Sequence, residues 1–244
     1  MRQFNVDGGY NIRDLGGYPT QDGRITQYGI LIRSGNLDQV SPTGAVQLVG
    51  LGASTIIDIR DEWEVENYPD VFAQSSAVTY ANLPFMGTAL SSTDGWKART
   101  QTYEQLEKLY EIYLEGCRPQ IGAIITAIAA SKPAAVFHCH AGKDRTGLIA
   151  ALLLGAAGVP AQVIAEDYAE TNQQIMGLVA GWRVSAQAQG QDMQKFARDT
   201  GAVAETMLKT LNYLEQRYGG VTNYLVQCGV SAHRLSGLLA RFVE

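Results

Sequence analysis

The stretch from Ala134 to Ala157 constrains this chain more than any other. Ala134 to His138 is a short apolar run, and Thr146 to Ala157 is apolar on nearly every side. A strand and a helix of that kind are stable only when buried on both faces. Between them lies a polar loop, Cys139-His140-Ala141-Gly142-Lys143-Asp144-Arg145. Buried strand, tight loop, buried helix is the repeating step of a parallel α/β sheet.

The rest of the chain fits that step. Gln27 to Arg33, Ala53 to Ile59 and Val78 to Leu83 predict further strands. Ser41-Pro42 predicts an N-cap followed by proline at the first helical position, opening a helix to about Leu51. Tyr103 to Leu114, Gln120 to Ala130 and Pro160 to Asn172 predict helices. Val203, Met207, Leu211, Leu214 and Tyr218 share a face at 3.6-residue spacing before Gly219-Gly220 ends the helix. Leu235, Leu238, Leu239 and Phe242 repeat the pattern. The expectation is α/β, a central, mostly parallel sheet flanked by helices, in a single domain over residues 1–244. Gly177 to Asp199, rich in Gln, Ala and Gly, is expected to be helical, a lid over the site, or a mobile insertion.

Composition limits the partners. The formal charge of -5 lacks the basic footprint that general nucleic-acid binding needs. An anionic substrate stays open, because its binding depends on the field inside one cleft. With three histidines and no CxxC pair among Cys117, Cys139 and Cys228, no metal and no cofactor are expected. So low and odd a cysteine count suggests a reducing compartment, although pairing of Cys117 or Cys228 with Cys139 stays open. The start of the chain lacks a signal-peptide stretch, and the longest apolar run, Leu148 to Val159, is too short for a bilayer span of about 20 residues. The expectation is a cytoplasmic protein with no transmembrane segment, with export by a signal-less route still open.

The chemistry lies in the loop. If the residues between Cys139 and Arg145 wrap into a cradle, the backbone N–H groups of His140, Ala141, Gly142 and Lys143 converge at a helix N-terminus and form an anion nest. Gly142 lets the backbone turn. That field would hold the non-bridging oxygens of a phosphate and keep Cys139 as the nucleophilic thiolate. Arg145 would clamp two equatorial oxygens through its planar fork, most strongly in the transition state. Thr146 could hydrogen-bond the sulfur as it leaves the phospho-enzyme. A nucleotide-binding loop of the GxxxxGK[ST] kind is excluded, because Asp144 follows Lys143.

His138-Cys139-His140-Ala141-Gly142-Lys143-Asp144-Arg145-Thr146-Gly147 resembles the signature loop of cysteine-dependent phosphatases, and more narrowly that of bacterial tyrosine phosphatases of the PtpB type. Asn11 to Gly17, Arg33-Ser34-Gly35, Ile57 to Arg60 with Glu64, Val163 to Asn172, and Tyr213 to Leu225 are similar to that family's other blocks. The resemblance implies a protein tyrosine or dual-specificity phosphatase acting on a phosphorylated protein or peptide. Phosphoinositides are a further substrate class, for which Lys143 matches the lysine of lipid phosphatases.

The leaving oxygen needs a proton, and a positioned acid contributes roughly 10²–10⁴-fold. Asp144, inside the cradle and placed as in related loops, is the expected general acid; Asp94 on a mobile loop is the alternative, with Asp58 and Asp167 behind it. Asp58, Arg60 and Glu64 read best as supports of the site, and Asp167 as an anchor of its helix. His138 is expected to shape the loop through the backbone, and His140 to face either the substrate or solvent. Phe85, Trp96 and Trp182 are candidates for an aromatic slot, although such residues are more often core. Two other functions compete: a catalytically weak phosphate-reading module on the same fold, and a rhodanese-type sulfurtransferase.

Overall fold

The computed structural model describes residues 2–87 and 105–244. Five strands form one sheet in the order β1-β2-β5-β3-β4, with β1 (Arg13–Asp14), β2 (Leu31–Ser34), β3 (Thr55–Asp58), β4 (Thr79–Asn82) and β5 (Ala135–His138). Only β1 runs antiparallel to its neighbour. The parallel strands therefore end on one side, with Ser34, Asp58 and His138 in register. Ligands of open α/β sheets bind at that side.

The described helices are α1 (Pro42–Gly50), α2 (Glu62–Asn67), α3 (Leu106–Gly116), α4 (Arg118–Ala130), α5 (Asp144–Ala156), α6 (Ala161–Gln174), α7 (Met176–Ala188), α8 (Met193–Thr200), α9 (Ala204–Tyr218), α10 (Val221–Gln227) and α11 (Ala232–Phe242). The expected α/β class and its mostly parallel sheet are observed.

Strand alternation divides the core. Leu31, Ile57, Ala135 and Phe137 point into a large cluster with α3 to α6, α9 and α11. Ile32, Ile56 and Val136 point to the other face and pack with Leu48 of α1, Val6, Ile12 and Phe72. Successive strand residues face opposite ways, so four-residue strands buried at every position need cover on both sides.

Local signals account for the ends of several elements. The Ser41 side chain accepts from Gly44 N–H and caps α1, with Pro42 at the first helical position. Gly219, at φ 70°, closes α9 in the left-handed region. Val203 departs from the expected helical face: it is the exposed N-cap of α9, while Met207, Leu211 and Leu214 are buried. Residues 177–199 are not irregular. They form most of α7 and α8, and the turn after α8 is tied back to α6, where Asn172 donates to Ala202 O at 2.6 Å and accepts from Ala202 N–H at 2.8 Å.

Candidate active site

Cys139 follows the central strand β5, and Asp144 opens α5, so the loop between them lies at the carboxyl edge of the sheet and the positive end of a helix dipole. Its carbonyls are turned outward by bonds from elsewhere. Tyr10 Oη donates to His140 O at 2.8 Å, and Asn36 N–H donates to the same oxygen at 2.7 Å. Asn11 Nδ2 donates to Ala141 O at 2.9 Å, and Arg33 donates to Gly142 O at 2.7 Å. With these carbonyls facing outward, the loop's N–H groups are left for the cradle. Gly142 sits at φ 67°, where a Cβ would lie 2.6 Å from Ser34 O and 2.7 Å from Asn11 Nδ2.

A buried ionic layer supports these props. Asp167 of α6 binds Arg33 at 2.5 Å, accepts from Tyr18 Oη at 2.7 Å and lies 3.6 Å from Arg13. Arg13 donates onward to Asn11. Burial would raise the Asp167 carboxyl, but Arg33 and Arg13 hold it below the usual range. Burial, followed by repulsion from Arg33, brings Arg13 down to about 10. Asp167 is therefore the anchor expected of it and does not line the cavity. Asp58 is likewise excluded as a proton donor to substrate. It is fully buried, and its carboxylate is taken by Arg60 and Tyr80.

Arg145 is clamped by a helix built for it. Asp61 and Glu64 form a capping box at the start of α2. The Glu64 carboxylate grips both terminal nitrogens of Arg145, at 2.5 and 2.7 Å, and Asp61 lies 3.2 Å away. Burial pushes Asp61 up to about 6 against the pull of Arg145. Burial also acts against Glu64, but its bonds to Arg145 hold it below the usual range.

A cavity of about 430 Å³ opens over Cys139, lined by Trp63, Glu64, Tyr68, His140, Asp144 and Trp182 among others. His140 faces this cavity, stacked on Trp182 with ring centroids 6.1 Å apart. Phe85 does not line an aromatic slot; it is wholly buried against Tyr113. Trp96 and Asp94 lie outside the described residues. Asp144, with its side chain 33% exposed, accepts from Tyr110 Oη at 2.6 Å, and Tyr110 meets Tyr168 Oη at 2.6 Å. Lys143 also borders the cavity, but its ammonium donates to Asp199 O and Gly201 O and lies 3.3 Å from Asp144. Thr146 is fully buried and its hydroxyl has no hydrogen-bond partner. No disulfide joins Cys117, Cys139 or Cys228, all of which are buried.

Among the described residues, Asp58, Asp70 and His138 form one cluster with metal-like donors. Because Arg60 and Tyr80 occupy Asp58, no open ligand set remains there. Of the supports, Tyr10 and Asn36 went unrecognised in the sequence. Asn11 and Arg33 are visible there only as blocks of family likeness, whereas Glu64 is read there as a support or helix cap and is both.

A cysteine in a loop at a helix N-terminus, with the loop carbonyls bonded to groups outside it and an arginine in the first helical turn, belongs to a class of site suited to binding an anion such as phosphate. The chain belongs to the tyrosine phosphatase family, whose model matches residues 4–244. It is 32% identical over 216 residues to a tyrosine-protein phosphatase of Nostoc commune, covering 86% of this chain and 73% of that one. It is 25% identical over 282 residues to the triple specificity protein phosphatase PtpB of Mycobacterium tuberculosis, covering 98% and 99%. Among solved structures, P. aeruginosa TpbA in complex with pTyr matches with a TM-score of 0.31 at 18% identity, covering 59% of this chain and 70% of that one. Like its family, this chain is a hydrolase, a protein tyrosine phosphatase. No helix among the described residues is long and apolar enough to cross a membrane.

Proposed function

We propose that the chain hydrolyses phosphotyrosine, and with it phosphoserine and phosphothreonine, through a cysteinyl-phosphate intermediate. The observation that carries this reading is the outward turning of the carbonyls of residues 140–142, which leaves an inward N–H cradle beside Cys139. The Cys139 thiolate attacks phosphorus, the bond to the leaving oxygen breaks, and Asp144 protonates that oxygen. Tyr110 holds one Asp144 oxygen at 2.6 Å, leaving the other for the substrate. Water then attacks the phosphocysteine with Asp144 as base, releasing phosphate and the thiolate. Arg145 and the N–H groups of His140, Ala141, Gly142 and Lys143 bind the phosphoryl oxygens as charge spreads over them. The Thr146 hydroxyl, which lacks a partner, is available to the departing sulfur.

Helices α7 and α8 act as a lid in this reading, since Trp182, Asp199 and Thr200 border the cavity and Lys143 ties the end of α8 to the cradle. Phosphoinositides are the second substrate class. A polyanionic head group would have to draw Lys143 from the carbonyls of Asp199 and Gly201, so phosphopeptides are expected to be the better substrates. Three buried cysteines without a disulfide suit a reducing, cytoplasmic setting.

The test is a steady-state assay in EDTA of wild type and Cys139→Ser. The substrates are p-nitrophenyl phosphate, phosphotyrosine and phosphoserine peptides, and a soluble phosphoinositide. Turnover by wild type alone, with phosphocysteine trapped on acid quenching, is expected. Binding of phosphate esters without turnover would replace the reading with a phosphate-reading module, and sulfur transfer without phosphate release with a sulfurtransferase.

A further inference from the structure

Helix α8 is amphipathic, yet it buries no residue. Met193, Phe196 and Ala197 share one face at i, i+3 and i+4, and Gln194, Lys195 and Arg198 lie on the other. A face of that kind is ordinarily covered by a core. Here Met193 and Phe196 stay half-buried beside a groove of about 260 Å³, whose further apolar walls are Ile175, Met176 and Val179.

The polar groups around this groove are committed elsewhere, with one exception. Asn172 uses both ends of its amide on Ala202. Thr200 Oγ1 donates to Phe196 O at 2.8 Å, and Gly201 O accepts from the Lys143 ammonium. Arg183 is the exception. It is exposed, it borders the groove from α7, and its guanidinium makes no hydrogen bond or ion pair with any described residue. A guest therefore meets an apolar cleft with one unpaired cation at its border. That chemistry suits an apolar side chain with a carboxylate close by. The two methionines let the walls adapt to the shape of the side chain.

Position says what the guest belongs to. Ile175 and Thr200 line both the groove and the cavity over Cys139. Trp182 lines that cavity, and the next residue of α7, Arg183, lines the groove. The two spaces thus share a wall. An extended chain advances about 3.3 Å per residue, so a peptide with its phosphotyrosine over Cys139 brings flanking residues to the groove.

We propose that the groove between α7 and α8 is a substrate-recognition subsite, taking an apolar side chain of a phosphotyrosine peptide while Arg183 pairs with an acidic residue beside it. The proposal rests on the reading of the Cys139 cavity as the phosphotyrosine site. The helix pair that borders the cavity then also reads the sequence around the phosphate.

The experiment measures kcat/KM of wild type, Arg183→Gln, Arg183→Glu and Ala197→Trp on phosphotyrosine peptides. Each peptide carries one leucine and one glutamate, moved in turn through the positions on either side of the phosphotyrosine. For wild type, replacing the leucine by alanine at one position is expected to lower kcat/KM about tenfold. Replacing a nearby glutamate by glutamine should lower it about threefold. Arg183→Gln should remove the glutamate preference and keep the leucine preference, and Arg183→Glu should transfer the charge preference to lysine. Ala197→Trp, which fills the groove, should remove the leucine preference. Every readout is a ratio between two peptides on one enzyme, so a loss of folded protein cancels. A wild type that turns over all the peptides equally would overturn the proposal, as would an Arg183→Glu enzyme that still prefers glutamate. Equal turnover together with inhibition by decanoate that Ala197→Trp relieves would assign the groove to a free amphiphile instead. A wild type that hydrolyses no phosphotyrosine peptide would overturn the reading of the Cys139 cavity itself.

Discussion

The cradle and the helix pair α7–α8 border the same cavity but are held in different ways. Beneath the cradle, Arg13 and Arg33 are fully buried and both pair with buried Asp167, and through Asn11 and Arg33 they reach the loop carbonyls. The helix pair buries almost nothing: Ala186 alone in α7 and no residue in α8. It is joined to the cradle by the Lys143 ammonium and by the stack of Trp182 on His140. The cradle is over-determined, and the helix pair is held at a few points. A phosphatase site that must place atoms to fractions of an ångström while letting substrate in and product out needs both.

That contrast can be broken from either side. The largest effect is expected below the cradle. Arg33→Ala strands Asp167 in the core and should lose roughly 3–5 kcal/mol in urea unfolding; a loss under 1 kcal/mol would mean that the ionic layer does not support the fold. Gly142→Ala should fold, yet lose about 100-fold in kcat/KM, because a Cβ at φ 67° displaces the loop from Ser34 and Asn11. Unchanged kinetics would show that the cradle can move without penalty.

Lys143→Met should cost about 1–3 kcal/mol through the orphaned carbonyls of Asp199 and Gly201. It should also speed limited proteolysis within residues 176–200, and unchanged proteolysis would remove Lys143 as the tie. A smaller effect is one of pH. Asp61 binds its proton more tightly folded, at about 6, than unfolded, at about 4. Its contribution to stability is complete below about pH 4 and is lost as pH rises through 6. Asp61→Asn should flatten that part of the urea-midpoint profile. Least affected should be Trp182→Ala, within about 0.5 kcal/mol of wild type by thermal melt, its consequence appearing in KM for peptides.

How much was legible in the sequence divides along the same line. The strand, loop and helix around Cys139 are consecutive, so one reading of spacing and burial recovers them. The N-cap at Ser41 and the stop at Gly219 were equally local. Of the supports, Glu64 could be read beside Asp58 and Arg60, but Tyr10 and Asn36 could not. They come from distant segments, meet the loop only after the sheet has formed, and carry no periodic signature. That residues 177–199 are helical was one of three readings the sequence left open. Burying only Ala186, they show Ala and Gln propensity without a facing core to separate a plain helix from a lid or a mobile insertion. Phe85 shows the converse: an aromatic beside a loop is more often core than binding residue, and its complete burial places it in the core.

The fork between Glu64 and Arg145 has a consequence for the timing of disorder. An arginine side chain loose in solvent carries about 2 kcal/mol of rotamer entropy, which an unrestrained clamp would surrender at every binding event. Here Glu64, a residue of the protein itself, grips both terminal nitrogens. The ordering happens once, when the chain folds, and each later turnover meets a guanidinium already at rest.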